Sequence, residues 1–296
     1  MSFKNLPTLY LVDASIYIFR AWHSVPDDFQ NADGHATNAV YGFAHFICEL
    51  LEQVAPANVV IAFDESLRSS FRKEIYPEYK ANRDPAPEAL IRQFDWCRRI
   101  AEAMGIACFS NPEYEADDMI GSLAKIGRDQ GHQIAIVSAD KDLTQLIIGE
   151  DYLWDYARGN RLNRAAVHKR FGVYPEQIAD FLALTGDAVD NIPGVPGIGP
   201  KTASTLLRHF NTLDELMQRL DEVGFLRMRG AKGIQTRLRE NYEAAMLARQ
   251  LTLIRLDALP SNTQYVRQKC DFSEVELLLD QLGFGRLLRQ RCQRLV

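Results

Sequence analysis

Three short apolar runs, each closed by an aspartate, mark the first half of the chain. Residues 8–13 (TLYLVD), 58–64 (NVVIAFD) and 132–140 (HQIAIVSAD) end at Asp13, Asp64 and Asp140. They are rich in strand formers and continuously apolar, which predicts strands buried on both faces. The stretches 38–54, 88–104 and 116–130 between them read as helices. Buried strands alternating with helices predict an α/β fold, a mostly parallel twisted sheet with helices on both faces. Weaker strands are expected at 106–109 (IACF) and 151–154 (DYLW).

Beyond about residue 170 the texture becomes helical, interrupted by a Gly/Pro-rich turn at 193–200 (PGVPGIGP). The expected organisation is an α/β domain over 1–170, a helical domain over 171–260, and an extension over 261–296 that packs on the core or is partly ordered. Segment 66–87 stands apart, because Arg68, Arg72, Lys73, Lys80 and Arg83 are interleaved with Phe71, Tyr76 and Tyr79. It is too charged for a core and too aromatic for a plain linker. No internal repeat or low-complexity tract interrupts the pattern.

No apolar run approaches the roughly 20 residues that span a bilayer, and Asp13 breaks the first one, so neither a signal peptide nor a membrane anchor is expected. Cys48, Cys97, Cys108, Cys270 and Cys292 are odd in number, scattered, and form no CxxC pair. Reduced thiols in a cytosolic compartment are the expectation. Lys and Arg number 34 against 39 Asp and Glu, a net charge of −5.

The acids are unevenly placed. Ligands of open α/β sheets bind at the carboxyl ends of the strands, where Asp13, Asp64 and Asp140 are expected. Neighbouring strands lie about 4.8 Å apart, so these acids would share one pocket. At an effective dielectric of 20, two carboxylates 5 Å apart repel by roughly 3 kcal/mol, a penalty that hard divalent cations would offset. Further acids cluster: Glu115, Asp117 and Asp118 at a helix start, Asp140 with Asp142, and Asp187 with Asp190 about one helical turn apart. On an ideal helix Glu115 and Asp118 share a face and Asp117 points elsewhere. Taken singly, each is explained as well by helix capping or a turn. Setting all nine aside leaves 34 bases against 30 acids, a net of +4, so the remainder suits a polyanionic partner.

Elements suited to phosphate are also present. In NIPGVPGIGPKTASTLL, Gly194, Gly197 and Gly199 permit close backbone approach, Pro200 suits the first helical position, and Lys201 follows it. Free N–H groups of such a turn and helix start make an anion site. Residues 223–239 carry Arg227, Arg229, Lys232, Arg237 and Arg239 without an acid, either a solvated helix face or a continuation of a phosphate track. Lys80 and Arg83 are spaced to bracket a phosphate, and Tyr76 and Tyr79 to stack on unpaired bases. Arg20 would reach a scissile or terminal phosphate, or pair with one of the acids.

The runs VDASIYIFRAWH, FRKEIYPEYKANR, EYEADDMIG, SADKDLTQL and TGDAVDNIPGVPGIGPKTA together resemble the 5′ nuclease (flap endonuclease) family, in particular the 5′ to 3′ exonuclease domain of bacterial DNA polymerase I and its stand-alone relatives. The likeness covers about residues 8–255 in unbroken order. It implies a metal-dependent nuclease domain joined to a helical domain with a helix-three-turn-helix motif, cutting DNA at 5′ ends and flaps with two divalent ions, Mg²⁺ or Mn²⁺. Asp13, Asp64, Glu115, Asp117 and Asp118 would build the first metal site and its shell, and Asp140, Asp142, Asp187 and Asp190 the second. Arg20, Lys80 and Arg83 would join them in catalysis. Segment 66–87 would be the arch for the 5′ strand, with Arg72, Lys73, Tyr79, Lys80 and Arg83 touching DNA. Gly194, Gly197, Gly199 and Lys201 would grip the duplex, and the carbonyls of Leu184, Thr185, Pro193, Val195 and Ile198 would hold potassium. Two departures, Ala139 where glycine is common and Asp84 in place of a usual proline, touch no expected ligand.

The resulting expectation is a monomeric, cytoplasmic, nucleoid-associated bacterial nuclease of replication and repair, acting on flaps, nicks or single-stranded 5′ ends and meeting other repair proteins. The six histidines are assigned no role. Two rivals are a non-catalytic branched-DNA binder of the same fold and a single-strand ribonuclease. The full set of acids argues against the first. The turn at 193–199 and the basic tail at Arg286, Arg289, Arg291 and Arg294 argue against the second.

Overall fold

The computed structural model describes residues 6–64 and 70–295, so Arg68 of the basic-aromatic segment lies outside the described residues. Six strands, β1 (Thr8–Asp13), β2 (Asn58–Ala62), β3 (Ala107–Phe109), β4 (Gln133–Val137), β5 (Tyr152–Asp155) and β6 (Asn160–Leu162), form one sheet in the order β3-β2-β1-β4-β5-β6. All pairs are parallel except β5 with β6, which are antiparallel. The expected mostly parallel sheet is therefore present. The short edge strand β6 was not legible because it carries only three residues, two of them polar.

Helices α1 (Ala14–Ser24), α2 (Asn38–Val54), α3 (Phe71–Ile75), α4 (Glu88–Ala103) and α5 (Ala116–Asp129) fill the first half. The second half holds α6 (Arg164–Phe171), α7 (Ile178–Thr185), α8 (Pro200–Phe210), α9 (Leu213–Gln218), α10 (Ala231–Glu240), α11 (Tyr242–Thr252), α12 (Phe272–Gln281) and α13 (Arg286–Gln293). No helix of the described residues is long and apolar enough to cross a membrane.

The pleat divides the strand residues between two cores. Leu9, Leu11, Val60, Ile134 and Ile136 face α5, and the same apolar cluster continues through Phe181, Leu184, Leu206, Phe210 and Leu238 of the helical half. Val12, Val59, Ile61 and Val137 face α1, α2 and α4 on the other side. The C-terminal helices join this second core through Val275, Leu278, Leu279, Leu288 and Cys292. All five cysteines are free thiols.

Register fixes where the strand-end acids fall. Asp13 stands opposite Ala62, and Val12 opposite Val137. Asp64 and Asp140 follow just beyond those partners, on the same edge of the sheet. Strand order reverses between β1 and β4, so this edge is the topological switch point at which an α/β sheet opens a crevice.

Candidate active site

A cleft of about 910 Å³ opens at this switch point. Asp13, Asp64, Glu115, Asp117, Asp140 and Asp190 line it, with Arg20, Lys73, Lys80 and Arg83 on its walls. Hydrogen bonds aim the three strand-end acids. Asp13 caps α1 by accepting from the Ser15 amide at 3.1 Å, and its second oxygen accepts from Ser138 Oγ at 2.9 Å. Asp64 accepts from Ser15 Oγ at 2.7 Å and from the Ala116 amide at 2.8 Å, so the N-terminus of α5 fixes it. Asp140 accepts from the Asp142 amide at 2.9 Å, and its own amide donates to Ser138 Oγ at 3.0 Å.

The α5 acids divide differently from an ideal helix. Glu115 has extended backbone (φ −81°, ψ 166°) and is the cap, outside the helix proper, so helical spacing does not govern it. Glu115 and Asp117 both line the cleft, whereas Asp118 turns away from it and is fully buried. Its Oδ1 accepts from Arg72 Nη2 at 2.8 Å and the Arg255 amide at 2.9 Å. Its Oδ2 accepts from Arg72 Nη1 at 2.6 Å and the Glu115 amide at 3.1 Å. A carboxylate offers about four lone-pair sites, and all four are taken. This corrects two expectations: Asp118 has no oxygen free for a metal, and Arg72 has no exposed face for a phosphate. Arg72 is 2% exposed and also donates to the carbonyls of Leu251 and Leu253 at 2.8 and 3.2 Å.

Tyr79 is corrected likewise. It is 2% exposed, so its ring cannot stack on a base; its hydroxyl lies 3.0 Å from Glu115 Oε2 and 3.1 Å from Asp190 Oδ2. Lys80 and Arg83 do reach the cleft. Lys80 Nζ donates to Glu115 at 3.0 Å, and Arg83 pairs with Asp190. The Lys80 amide bonds the Asp190 carbonyl at 2.9 Å and Asn82 the Ala188 carbonyl at 2.8 Å, which docks the basic segment on the loop after α7.

The second group of acids straddles two pockets. Asp187 and Asp190 are not on a helix; Asp187 pairs with Ile192 in a tight hairpin. Asp190 faces the main cleft, and Asp187 an adjoining pocket of about 610 Å³, where Lys141 donates to it. Asp142 opens a short 3-10 turn (Asp142–Leu146), and its buried Oδ1 lies 3.3 Å from Lys141 Nζ.

Electrostatics follow from this crowding. Burial first, then the charges of Asp64 and Asp140, raise Asp13 from 3.8 to about 7. Burial, Asp140 and Asp13 also push Asp117 up. Asp142 rises to about 7 through burial and Asp140, against the pull of Lys141. Glu115 moves the other way: burial would raise it, but Lys80 and Arg72 outweigh that and hold it below the ordinary range.

Serines 15 and 138 and Lys141 position these acids and were not anticipated, since nothing in their spacing marks them. The cleft wall formed by Ile16, Phe19, Arg20 and His23 lies on one face of α1 at i, i+3, i+4, i+7 spacing, a signal present in the sequence from which only Arg20 was drawn. His23, assigned no role from the sequence, belongs to that face.

The turn after α7 is built on two glycines. A Cβ on Gly194 would meet the Gly186 amide and the Thr185 carbonyl carbon at 2.3 Å each, and one on Gly186 would meet the Gly194 amide at 2.6 Å. Pro200 begins α8, and Lys201 stands exposed in its first turn. The Leu184 and Val195 carbonyls accept from Val195 and Ile198 amides at 2.9 and 3.0 Å.

Comparison with known proteins agrees with this architecture. Residues 8–172 match the family described as 5′-3′ exonuclease, N-terminal resolvase-like domain, and residues 173–273 match 5′-3′ exonuclease, C-terminal SAM fold. DNA polymerase I of Rhizobium leguminosarum is 38% identical over 84% of this chain and 24% of its own length. DNA polymerase I of Mycobacterium tuberculosis (strain ATCC 25618 / H37Rv) is 38% identical over 96% of this chain and 31% of its own. The chain thus spans about a quarter to a third of these polymerases. A 5′-3′ exonuclease of Buchnera aphidicola is 34% identical over 86% of this chain and 88% of its own. Among solved structures, T5 5′-exonuclease with bound zinc superposes with TM-score 0.66 at 20% identity, covering 97% of this chain and 98% of its own. The catalytic core of Rad2 with DNA substrate gives 0.66 at 18%, covering 100% and 95%. At these identities the structural likeness concerns the fold.

Proposed function

The chain belongs to the 5′-3′ exonuclease family and is an enzyme of that family, and from this premise we propose that it hydrolyses DNA phosphodiester bonds at 5′ ends and 5′ flaps with the help of two divalent metal ions. The single observation that carries the reading is the convergence of six carboxylates on one cleft at the sheet's switch point.

The residues suit hard cations in their chemistry. Among the described residues no three such side chains are gathered tightly enough to cage an ion, so the fit rests on donor type and charge. All donors are carboxylate oxygens, the preference of magnesium or manganese. Burial and the charge of Asp140 raise both Asp13 and Asp117, the crowding that a bound cation would relieve. Asp13, Asp64, Glu115 and Asp117 are proposed for one ion, and Asp140, Asp142, Asp187 and Asp190 for the second. When bound, such ions supply Lewis acidity toward the phosphodiester and ease ionisation of the attacking water.

The chain's own groups do the rest. Ser15, Ser138 and the α5 N-terminus hold Asp13 and Asp64 in fixed orientations, which spares reorganisation during the reaction. Lys80 and Arg83, with Arg20 and Lys73 on the cleft walls, place positive charge where a phosphodiester would lie. No side-chain nucleophile is required.

Residues 1–170 are assigned to hydrolysis, 171–260 to duplex binding and 261–296 to packing against α2 and α4. The turn at 186–199, with Lys201, would seat a duplex phosphate on backbone amides, and the carbonyls of Leu184, Thr185, Pro193, Val195 and Ile198 would hold potassium. The setting is bacterial cytoplasm, in replication and repair, on flapped or nicked DNA. The test is a 5′-labelled flap and a nicked duplex incubated with Mg²⁺ or with EDTA. Cleavage in magnesium and none in EDTA is expected; intact substrate in both overturns the proposal.

A further inference from the structure

The helical half carries a surface that neither the carboxylate cleft nor the turn at 186–199 uses. Residues 226–229 link a 3-10 turn (Leu220–Phe225) to α10 through bends, the Met228 amide donating to the Leu226 carbonyl at 2.7 Å, and exposure alternates from Phe225 to Arg229. Leu226 and Met228 pack into the apolar core, while Phe225, Arg227 and Arg229 point outward. Phe225 is 87% exposed, the most exposed large apolar side chain among the described residues. Gly230 (φ 74°) turns the chain into α10, whose outward face continues with the exposed Lys232.

The charge here is uncompensated. Nearby acids already have partners: Asp221 pairs with Arg239 at 2.6 Å and Glu222 with Arg219 at 2.7 Å. Among the described residues no ion pair engages Arg227, Arg229 or Lys232. The strip is held against the turn by Arg237 of the same helix. Its guanidinium packs on Gly197, where a Cβ would come within 3.2 Å of it, and its Nε is buried without a hydrogen-bond acceptor. A side chain at Gly197, where φ is 73°, would strain the backbone and push on the Arg237 guanidinium.

We propose that Phe225, Arg227, Arg229 and Lys232 form a second duplex-binding strip, which extends the grip of the 186–199 turn along one DNA backbone. Charge complementarity selects the occupant: Arg227, Arg229 and Lys232, three exposed cations within six residues, present concentrated positive charge to a polyanion. Phe225 packs its ring against the sugar edge beside those phosphates. The inference rests on the reading of the chain as a DNA nuclease and adds a footprint on the duplex remote from the cut.

The experiment compares the full chain with an R227A/R229A/K232A variant on flap substrates with a long or a short duplex arm, in calcium, across a salt series. All three positions are exposed, so folding is checked by an unchanged Tm. Each phosphate contact contributes about 0.9 to the slope of log K against log salt, so the variant should flatten it by about 2 to 3 on the long arm and weaken binding at least tenfold. On the short arm the two proteins should bind alike, and single-turnover cleavage at saturation in magnesium should match. An F225A variant should weaken long-arm binding several-fold with the slope unchanged. Equal slopes for the triple variant and the parent on the long arm would overturn the strip. A parent chain that binds no DNA in any arm would instead defeat the nuclease reading itself.

Discussion

Arg72 and Asp118 meet in a bidentate ion pair, at 2.6 and 2.8 Å, from which solvent is excluded on both sides. The pair joins α3 to the start of α5, and Arg72 reaches on to the carbonyl ends of α11. It is therefore a structural clamp behind the cleft, with four guanidinium hydrogen bonds and Glu115 Oε2 3.6 Å from Nη1. Arg72→Ala would leave Asp118 charged and buried, which costs about 3 to 5 kcal/mol. Urea denaturation should show that loss, while the folded fraction should keep its salt slope for DNA. A change below about 1 kcal/mol would mean the pair does not hold the fold.

Asp140 separates chemistry from binding. It lines the cleft and raises both Asp13 and Asp117, but the turn and basic strip lie outside its reach. Asp140→Ala should reduce single-turnover cleavage by about a hundredfold or more, the scale of losing one preorganised group that acts on transition-state charge. Affinity for a flap substrate should stay within a few-fold. Cleavage near the parent rate would remove Asp140 from the reaction.

The crowded acids make stability depend on pH and on metal in a linked way. Asp13 and Asp142 each titrate near 7 in the fold, against an ordinary 3.8. Between these values the native state binds more protons than the unfolded chain, so stability falls as pH rises from about 4 to 7 and levels off above. Glu115 has the opposite sign, but its contribution is lost only below its ordinary 4.5. Thermal melts in EDTA should therefore decline across that window. Magnesium or manganese should raise Tm by several degrees at pH 8 and little at pH 5, because the cations bind the ionised acids. An increment independent of pH would contradict this account.

Two glycines of one motif should respond oppositely. Gly194→Ala drives a Cβ to 2.3 Å from the backbone of residues 185 and 186, so the turn must open. Overpacking of this kind costs about 1 to 3 kcal/mol, and duplex affinity should fall with it. Gly199 has φ −92° and nothing within 4 Å of an added Cβ, so Gly199→Ala should be nearly neutral in Tm. Equal effects at both sites would argue against close backbone contact as the reason for Gly194.

The boundaries of the main elements were legible because periodicity is a local property. The helix expected at 38–54 is α2, and the runs ending at Asp13, Asp64 and Asp140 became the three adjacent central strands. Period and apolar content are set by residues a few positions apart, so the chain alone determines them. It likewise determined that many acids would gather, since a parallel sheet delivers its strand ends to one edge.

What the chain alone did not determine is which partner each charged group would take. Asp118 and Arg72 lie 46 residues apart, and only folding brings them close enough for the pair to outcompete water, metal and phosphate for both. Tyr79 is drawn inward by two carboxylates from distant segments, and Ser15, Ser138 and Lys141 gain positions that no spacing announces. Side-chain roles at such a site follow from which lone pairs and protons remain unmatched after packing. That quantity is a property of the tertiary structure.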